Sequence, residues 1–423
     1  MNVLLWNQDW FAAELRALGH HAVTMGYTQH LDVNFTTPLV HVSDALARFP
    51  GGSRPDLLIV HDNSAPVGLI GLETLDIPMI FYSVDTHHHC ELHRSLAHVF
   101  DLTFIAQKDY IPSFETERSP VAWLPLWASE VVEPVNEKTN GAVFVGTLNP
   151  KLNPDRVRFF DQLRATVEML CITGKWQDIF PRSEIVINQT VKGDLNFRVF
   201  EAMGAGALLL TERTPNGLFE LFHEDEHLVT YTKGDVAEAA HRIRSLLADK
   251  PRTRSIAARG RAEVLARHRA SNRLDTVLRA TRTLTPRSRR GIRFKLMHNF
   301  AEFGRRILPF NQDFALVALT EALSHADAGL RGDELLNDEL GCQVVVAATL
   351  YDRLTHGTSG DRLLNRLIDR YPERRILALP IIHARLHRGS QPEATALAQS
   401  HFPDRTVAEV FSLAETVLSQ LLA

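Results

Sequence analysis

The chain has 423 residues, too many for one hydrophobic core, so two or three domains are expected. Hydrophobic residues at 45% and charged residues at 23% match an ordinary globular protein rather than a disordered one, and a formal net charge of −4 gives no reason to expect a nucleic-acid-binding face. Cys90, Cys171 and Cys342 stand in no paired spacing, which argues against a disulfide scaffold or a zinc ribbon and fits a reducing compartment.

The N-terminus has no basic region and soon meets Asp9, so no signal peptide is expected. No apolar run nears the ~20 residues that span a bilayer, and a cytoplasmic protein without a membrane span is the expectation. Short apolar runs at 2–6, 21–27, 56–61, 78–85, 102–107 and 121–127 read as strands, with helices at 10–18, 42–48 and 90–99. Near-continuous hydrophobicity in the strands predicts burial on both faces, as in a parallel sheet covered by helices. Residues 1–128 therefore read as one Rossmann-like, doubly wound α/β domain. The polar stretch 128–140, with Pro134, reads as a linker.

The alternation then restarts. Strands are predicted at 142–146, 167–174, 184–190, 207–211 and 228–232, and helices at 155–166, 197–204, 235–248 and 252–268, giving a second Rossmann-like domain over 141–284. Ligands of such units sit at the carboxyl ends of the strands, so two units facing each other predict an interdomain cleft. Residues 285–295 form a basic, breaker-rich linker, and 296–423 read as all helix. Within that region Tyr371-Pro372 is echoed 31 positions later by Phe402-Pro403. Tetratricopeptide-like helix pairs and a plain bundle that packs on the rest or self-associates are the two readings.

The segment 188–206 has the most chemical content: a strand, a polar loop, then a helix with small residues at its end. Loop amides and the positive end of the helix dipole, beginning near Asn196, suit an anion such as a diphosphate. Arg198 and Lys192 offer charge for it, and Glu201 is placed to accept hydrogen bonds from a ribose diol. The competing reading pairs Arg198 with Glu201 in an ordinary buried ion pair. Gly146 and Thr147, in the turn after the first strand of the second domain, open a further path for a diphosphate, with Lys151 nearby. Trp176 either stacks on a base or packs under its loop. In the first domain Asp85, His87 and His88 end a strand at the expected cleft edge, close to His89 and His93. A general base among Asp85 and His87, a metal site and a plain polar loop are the three readings, with no metal preferred. His61 and Asp62 reach the same edge one unit earlier, as acceptor-pocket residues or as a helix cap, and Asn7, Gln8 and Asp9 allow the same two readings.

The second half of this pattern resembles group 1 glycosyltransferases of the GT-B fold, and is most similar to the CgeB-like, spore-maturation subgroup. The resemblance rests on the Glu201–Gly204 helix, the Leu209-Leu210-Thr211 strand, the Phe219–Phe222 helix, Thr230-Tyr231, and the helix bearing Ala257, Gly260, Val264 and His268. It covers about 141–268. It implies a nucleoside-diphosphate sugar donor in the second domain, a glycan or protein hydroxyl acceptor in the first, and no required cofactor. Glu201 takes the place of the family's ribose-binding glutamate. Gly193 and Asp194 stand where many retaining members carry an upstream acid, which leaves the stereochemistry open. A nucleotide-sugar epimerase of the same fold, and a degenerate transferase binding partners through its helical tail, are the alternatives.

Overall fold

The apolar runs of the first 127 residues lie side by side in one parallel sheet. In the computed structural model, residues 1–37, 39–64, 67–115, 120–332 and 334–422 are described, with side chains to 417. Strands β1 (Asn2–Trp6), β2 (His21–Gly26), β3 (Val33–Asn34), β4 (Val40–His41), β5 (Leu57–His61), β6 (Leu69–Ile70), β7 (Met79–Ser83), β8 (Leu102–Ile105) and β9 (Val121–Trp123) alternate with helices α1 (Ala12–Ala17), α2 (Val42–Ala47), α3 (Thr86–Ala97) and α4 (Ile111–Phe114). Seven strands join in the order β3-β2-β1-β5-β7-β8-β9, all pairs parallel, while β4 and β6 pair separately. Every residue of β5 and β7 is buried, as their unbroken apolar sequences require.

A second parallel sheet, ordered β11-β10-β12-β13-β14, is built from β10 (Asn140–Val145), β11 (Met169–Ile172), β12 (Ser183–Asn188), β13 (Leu208–Glu212) and β14 (Val229–Tyr231). Its helices are α5 (Pro154–Arg164), α6 (Trp176–Ile179), α7 (Phe197–Gly204), α8 (Leu218–Leu221), α9 (Val236–Ala248), α10 (Lys250–Arg267) and α11 (Ala270–Thr281). The sequence reading left 270–281 unassigned. That helix returns to the first sheet, where Arg273 donates from Nε to the Pro125 carbonyl at 2.7 Å and from Nη2 to that of Leu126 at 2.8 Å. One apolar core joins the two units, shared by Leu126, Trp127, Phe200, Met203 and Leu274. Burying such side chains contributes roughly 1.5–3 kcal/mol each.

The rest of the chain is helical: α12 (Arg293–Ile307), α13 (Gln312–Arg331), α14 (Asp338–Thr355), α15 (Ser359–Arg370), α16 (Arg375–His387), α17 (Gln391–His401) and α18 (Val407–Leu422). The repeated aromatic-proline pair has a structural counterpart. Tyr371 caps α15 at φ −129°, ψ 60°, and Phe402 caps α17 at φ −131°, ψ 61°. This region is not a free tail. The basic stretch before it is pinned to the first domain, with Arg289 bonding Asp101 at 2.8 Å, and α12 lies on α3, where the Asn299 side chain donates to the Leu92 carbonyl at 2.9 Å. Ile292 and Leu296 join the core beneath the first sheet. No described helix is long and apolar enough to cross a membrane.

Candidate functional site

In each sheet the chain changes direction beside its first strand, between β1 and β5 in one and between β10 and β12 in the other. Loops diverge at such points, and a crevice opens at the carboxyl ends of the strands. The two crevices face each other across a cavity of about 520 Å³. From the first domain Ser64, Asp85, His87 and His88 line it. From the second come Gly146, Thr147, Arg156, Asp194, Asn196, Arg198 and Glu201, with Trp176 and Phe197.

The wall from the second domain carries fixed positive charge. Arg198 sits in the first turn of α7 and spends three of its five N–H donors on the protein: Nε and Nη2 donate to the Val145 carbonyl at 3.1 and 2.9 Å, and Nη1 donates to Asn188 Oδ1 at 2.8 Å. Its guanidinium also lies 4.8 Å from the centre of the Phe144 ring. A Cβ on Gly146 would stand 2.7 Å from Arg198 Nη2 and 2.8 Å from Phe144 Cζ, so this glycine makes room for the arginine. Burial, and then the neighbouring Arg156, bring the Arg198 guanidinium down to about 10. Arg156 is lowered too, chiefly by burial, and donates to Gln189 Oε1 at 3.2 Å and to the Gln189 carbonyl at 3.1 Å. Two desolvated cations facing one cavity are costly when alone and are relieved by an anion. The N-terminus of α7 agrees: its cap, Asn196, makes no side-chain bond to the helix, no acid occupies the first turn, and Asn196 Oδ1 is buried without a partner.

Deeper in this wall, Glu201 accepts from Ser129 Oγ, and its carboxyl is raised first of all by burial. Asp194 accepts from the Val191 amide and holds the loop between β12 and α7. Its own carboxyl is raised, again mainly by burial. Gly193, beside it, has φ +84°, a left-handed conformation that an acidic side chain would strain, while Asp194 itself lines the cavity.

The wall from the first domain carries groups that exchange protons. Asp85 precedes α3, makes no side-chain cap bond, and is raised to about 7 by burial and by the charges of Asp62 and Asp194. His87 is lowered to about 3 by burial and then by His88 and Lys192, so it is neutral at pH 7 and a weak base. His88 is lowered as well, first by burial, and its ring lies 4.1 Å from that of His87.

His61, Asp62 and Lys192 are among the sequence-predicted residues that do not line the cavity. His61 is fully buried, with Trp10 and Phe11 rings at 5.4 and 5.9 Å, and burial lowers it to about 3. Asp62 is buried one step behind the surface, where Oδ1 accepts from the Ser64 amide at 2.8 Å and Oδ2 from those of Val84 and Asp85 at 3.1 and 2.6 Å. It holds the loop at Ser64 and the start of α3 from behind the cavity wall. Lys192 crosses the domain boundary and donates to the His87 carbonyl at 3.1 Å, so its charge joins the two walls. The Arg198–Glu201 ion pair considered as an alternative does not form: each side chain has the other partners given above. Lys151 is exposed and away from the cavity. Trp176 packs on Phe180 at 5.6 Å, as one of its two readings has it, and also lines the cavity. The sequence reading missed Arg156, which looks like any residue in a helix's first turn, and Ser129, which lay in the linker. Among the described residues no three His, Cys, Asp or Glu side chains gather as metal ligands.

The family described as glycosyl transferase-like matches residues 156–279. No curated protein matches the chain. Among solved structures, the Anabaena protein Alr3699/HepE in complex with UDP and glucose is similar at a TM-score of 0.53 and 14% identity, over 67% of this chain and all (100%) of that one. The same protein in complex with UDP-glucose is similar at 0.52 and 13%, over 67% and 99%. The chain thus joins a glycosyl transferase-like domain to the two-sheet GT-B fold, with an all-helical region after it.

Proposed function

We propose that the chain is a glycosyltransferase that moves a sugar from a nucleoside-diphosphate donor to a hydroxyl of a glycan or protein acceptor. The observation that carries this reading is the uncapped N-terminus of α7, flanked by the Arg156 and Arg198 guanidiniums and facing Asp85 across the cleft. A diphosphate answers both features at once, since its oxygens accept from the free amides of the helix and neutralise the paired cations. No metal or other cofactor is needed for that charge. In this reading residues 141–284 hold the donor and 1–128 the acceptor.

Glu201 accepts from the ribose diol in place of its bond with Ser129, and Asn196 Oδ1 takes a donor hydroxyl. Gly146 and Thr147 leave space for the phosphates. Asp85, titrating near 7, takes the proton of the acceptor hydroxyl as that oxygen attacks the anomeric carbon. The bond from carbon to phosphate oxygen breaks, and the electron pair leaves on the diphosphate, which the helix and the two arginines stabilise. His87 and His88 line the acceptor side as neutral hydrogen-bonding groups. UDP is the first base to try, because HepE was crystallised with UDP and UDP-glucose. Membership in the CgeB-like subgroup is part of the proposal and rests on the motifs of residues 201–268.

Thermal unfolding with UDP, GDP, ADP and TDP tests the reading. At least one should raise the melting temperature, and Glu201→Ala should remove the effect. No shift with any of the four would overturn it.

A further inference from the structure

Helix α3 carries the acceptor-side groups at its N-terminal end and is backed along its length by α12 of the helical region. Its geometry breaks at His89, which has φ −129° and ψ 26° inside the helix. That break turns the imidazole out of the helical row. His89 Nδ1 accepts from Arg306 Nη1 at 2.8 Å, which leaves the ring proton on Nε2, and the His89 amide donates to the Asp85 carbonyl at 3.2 Å. Arg306 is itself aimed by Glu302, to which its Nε donates at 2.6 Å, and Glu302 is buried and shared with Arg305. From Asp85 the chain of bonds continues inward: its amide donates to Asp62 Oδ2 at 2.6 Å, and the other oxygen of Asp62 accepts from the Ser64 amide at 2.8 Å. Ser64 and Asp85 both line the cavity.

We propose that Arg306, acting through His89, is a positioning residue of the cleft: the helical region sets the acceptor-side wall by fixing the residue whose amide closes the first turn of α3 on Asp85. The role rests on the transferase reading above for its catalytic consequence, but the mechanical link stands on the bonds alone. It differs from simple docking of the helical region, which other contacts on the same face provide. Ser95 Oγ bonds His298 Nδ1 at 2.8 Å, and Asn299 holds the Leu92 carbonyl, about two turns and one turn further along α3 with no branch to the cavity.

The contrast sets the test on the full chain. Arg306→Gln and Ser95→Ala each remove one bond between α3 and α12, but only the first touches His89. In R306Q, amide hydrogen exchange should rise at 62–64 and 85–89 and stay unchanged at 183–212. In S95A those acceptor-side segments should be unaffected. With UDP-glucose as probe, release of UDP should fall on the order of tenfold to a hundredfold in R306Q, with UDP affinity within about twofold of wild type, and Arg306→Lys should restore part of the rate by returning one donor. Equal exchange in R306Q and wild type overturns the proposal, and so does an R306Q effect that S95A reproduces. If wild type neither binds UDP nor releases it from UDP-glucose, the donor reading fails, and the exchange comparison still decides this one.

Discussion

The two walls of the cleft are made of different chemistry held in different ways. The second-domain wall places two guanidiniums and a helix N-terminus on the cavity, and backbone carbonyls next to the site hold the arginines. The first-domain wall places a high-pKa carboxyl and neutral histidines there, and its shape comes from behind, through a buried Asp62 and the helical region beyond it. One wall carries fixed positive charge; the other carries titratable groups shifted by burial. Each kind of substitution should therefore hurt one property and spare the other.

The largest expected separation is in Asp85→Asn. Loss of a general base lowers turnover by about 10²–10⁴-fold, while UDP affinity, a property of the opposite wall, stays within about twofold; steady-state rates and calorimetry on one preparation read both. Arg198→Ala should do the reverse. Loss of a buried charged partner costs roughly 1.5–3 kcal/mol, or about 10–150-fold in UDP affinity, and lysine should not restore it because one ammonium cannot serve Val145, Asn188 and an anion together. A smaller effect comes from Gly146→Ala: the added Cβ displaces Arg198 without removing its charge, and UDP affinity should drop about tenfold, less than in R198A, by the same calorimetry.

The smallest effect is on stability. Asp85 titrates at about 7 in the folded chain against an ordinary 3.8, so folding favours its protonated form. That preference is complete below pH 3.8 and is lost as the pH rises through 7. Asparagine removes the ionisation, so D85N should be more stable than wild type at pH 8 by about 1–3 kcal/mol after solvent screening, and equal near pH 3.5. Urea unfolding at the two pH values checks it. A variant that loses its rate yet gains stability marks a functional carboxyl; a loss of both would mark a structural one.

The sequence was readable where burial and local geometry act within one element. Helix α7 runs from Phe197 to Gly204 as its pattern predicts, and each long strand falls within a few residues of its apolar run. Two-residue strands such as β3 and β4 are too short to carry a period. Helix α11 belongs to contacts 147 and 148 positions away, through Arg273, which nothing local announces. The part of the second-domain wall that lies in 188–206 was legible for the same reason as α7, whereas Arg156 comes from α5, a separate segment, and was not. The first-domain wall was legible only in part. His61 and Asp62 do end a strand at the right edge, yet Trp10 and Phe11 close over His61, and loop amides enclose Asp62. Lys192 looked like a phosphate ligand until the two domains were brought together and its amine met the His87 carbonyl.

Calorimetric titration of UDP into wild type, Glu201→Ala and Asp85→Asn decides whether the second-domain wall holds a nucleotide. Wild type and D85N should bind saturably, and E201A should not bind. Binding that survives intact in E201A, or wild type that binds none of UDP, GDP, ADP and TDP, would contradict this reading.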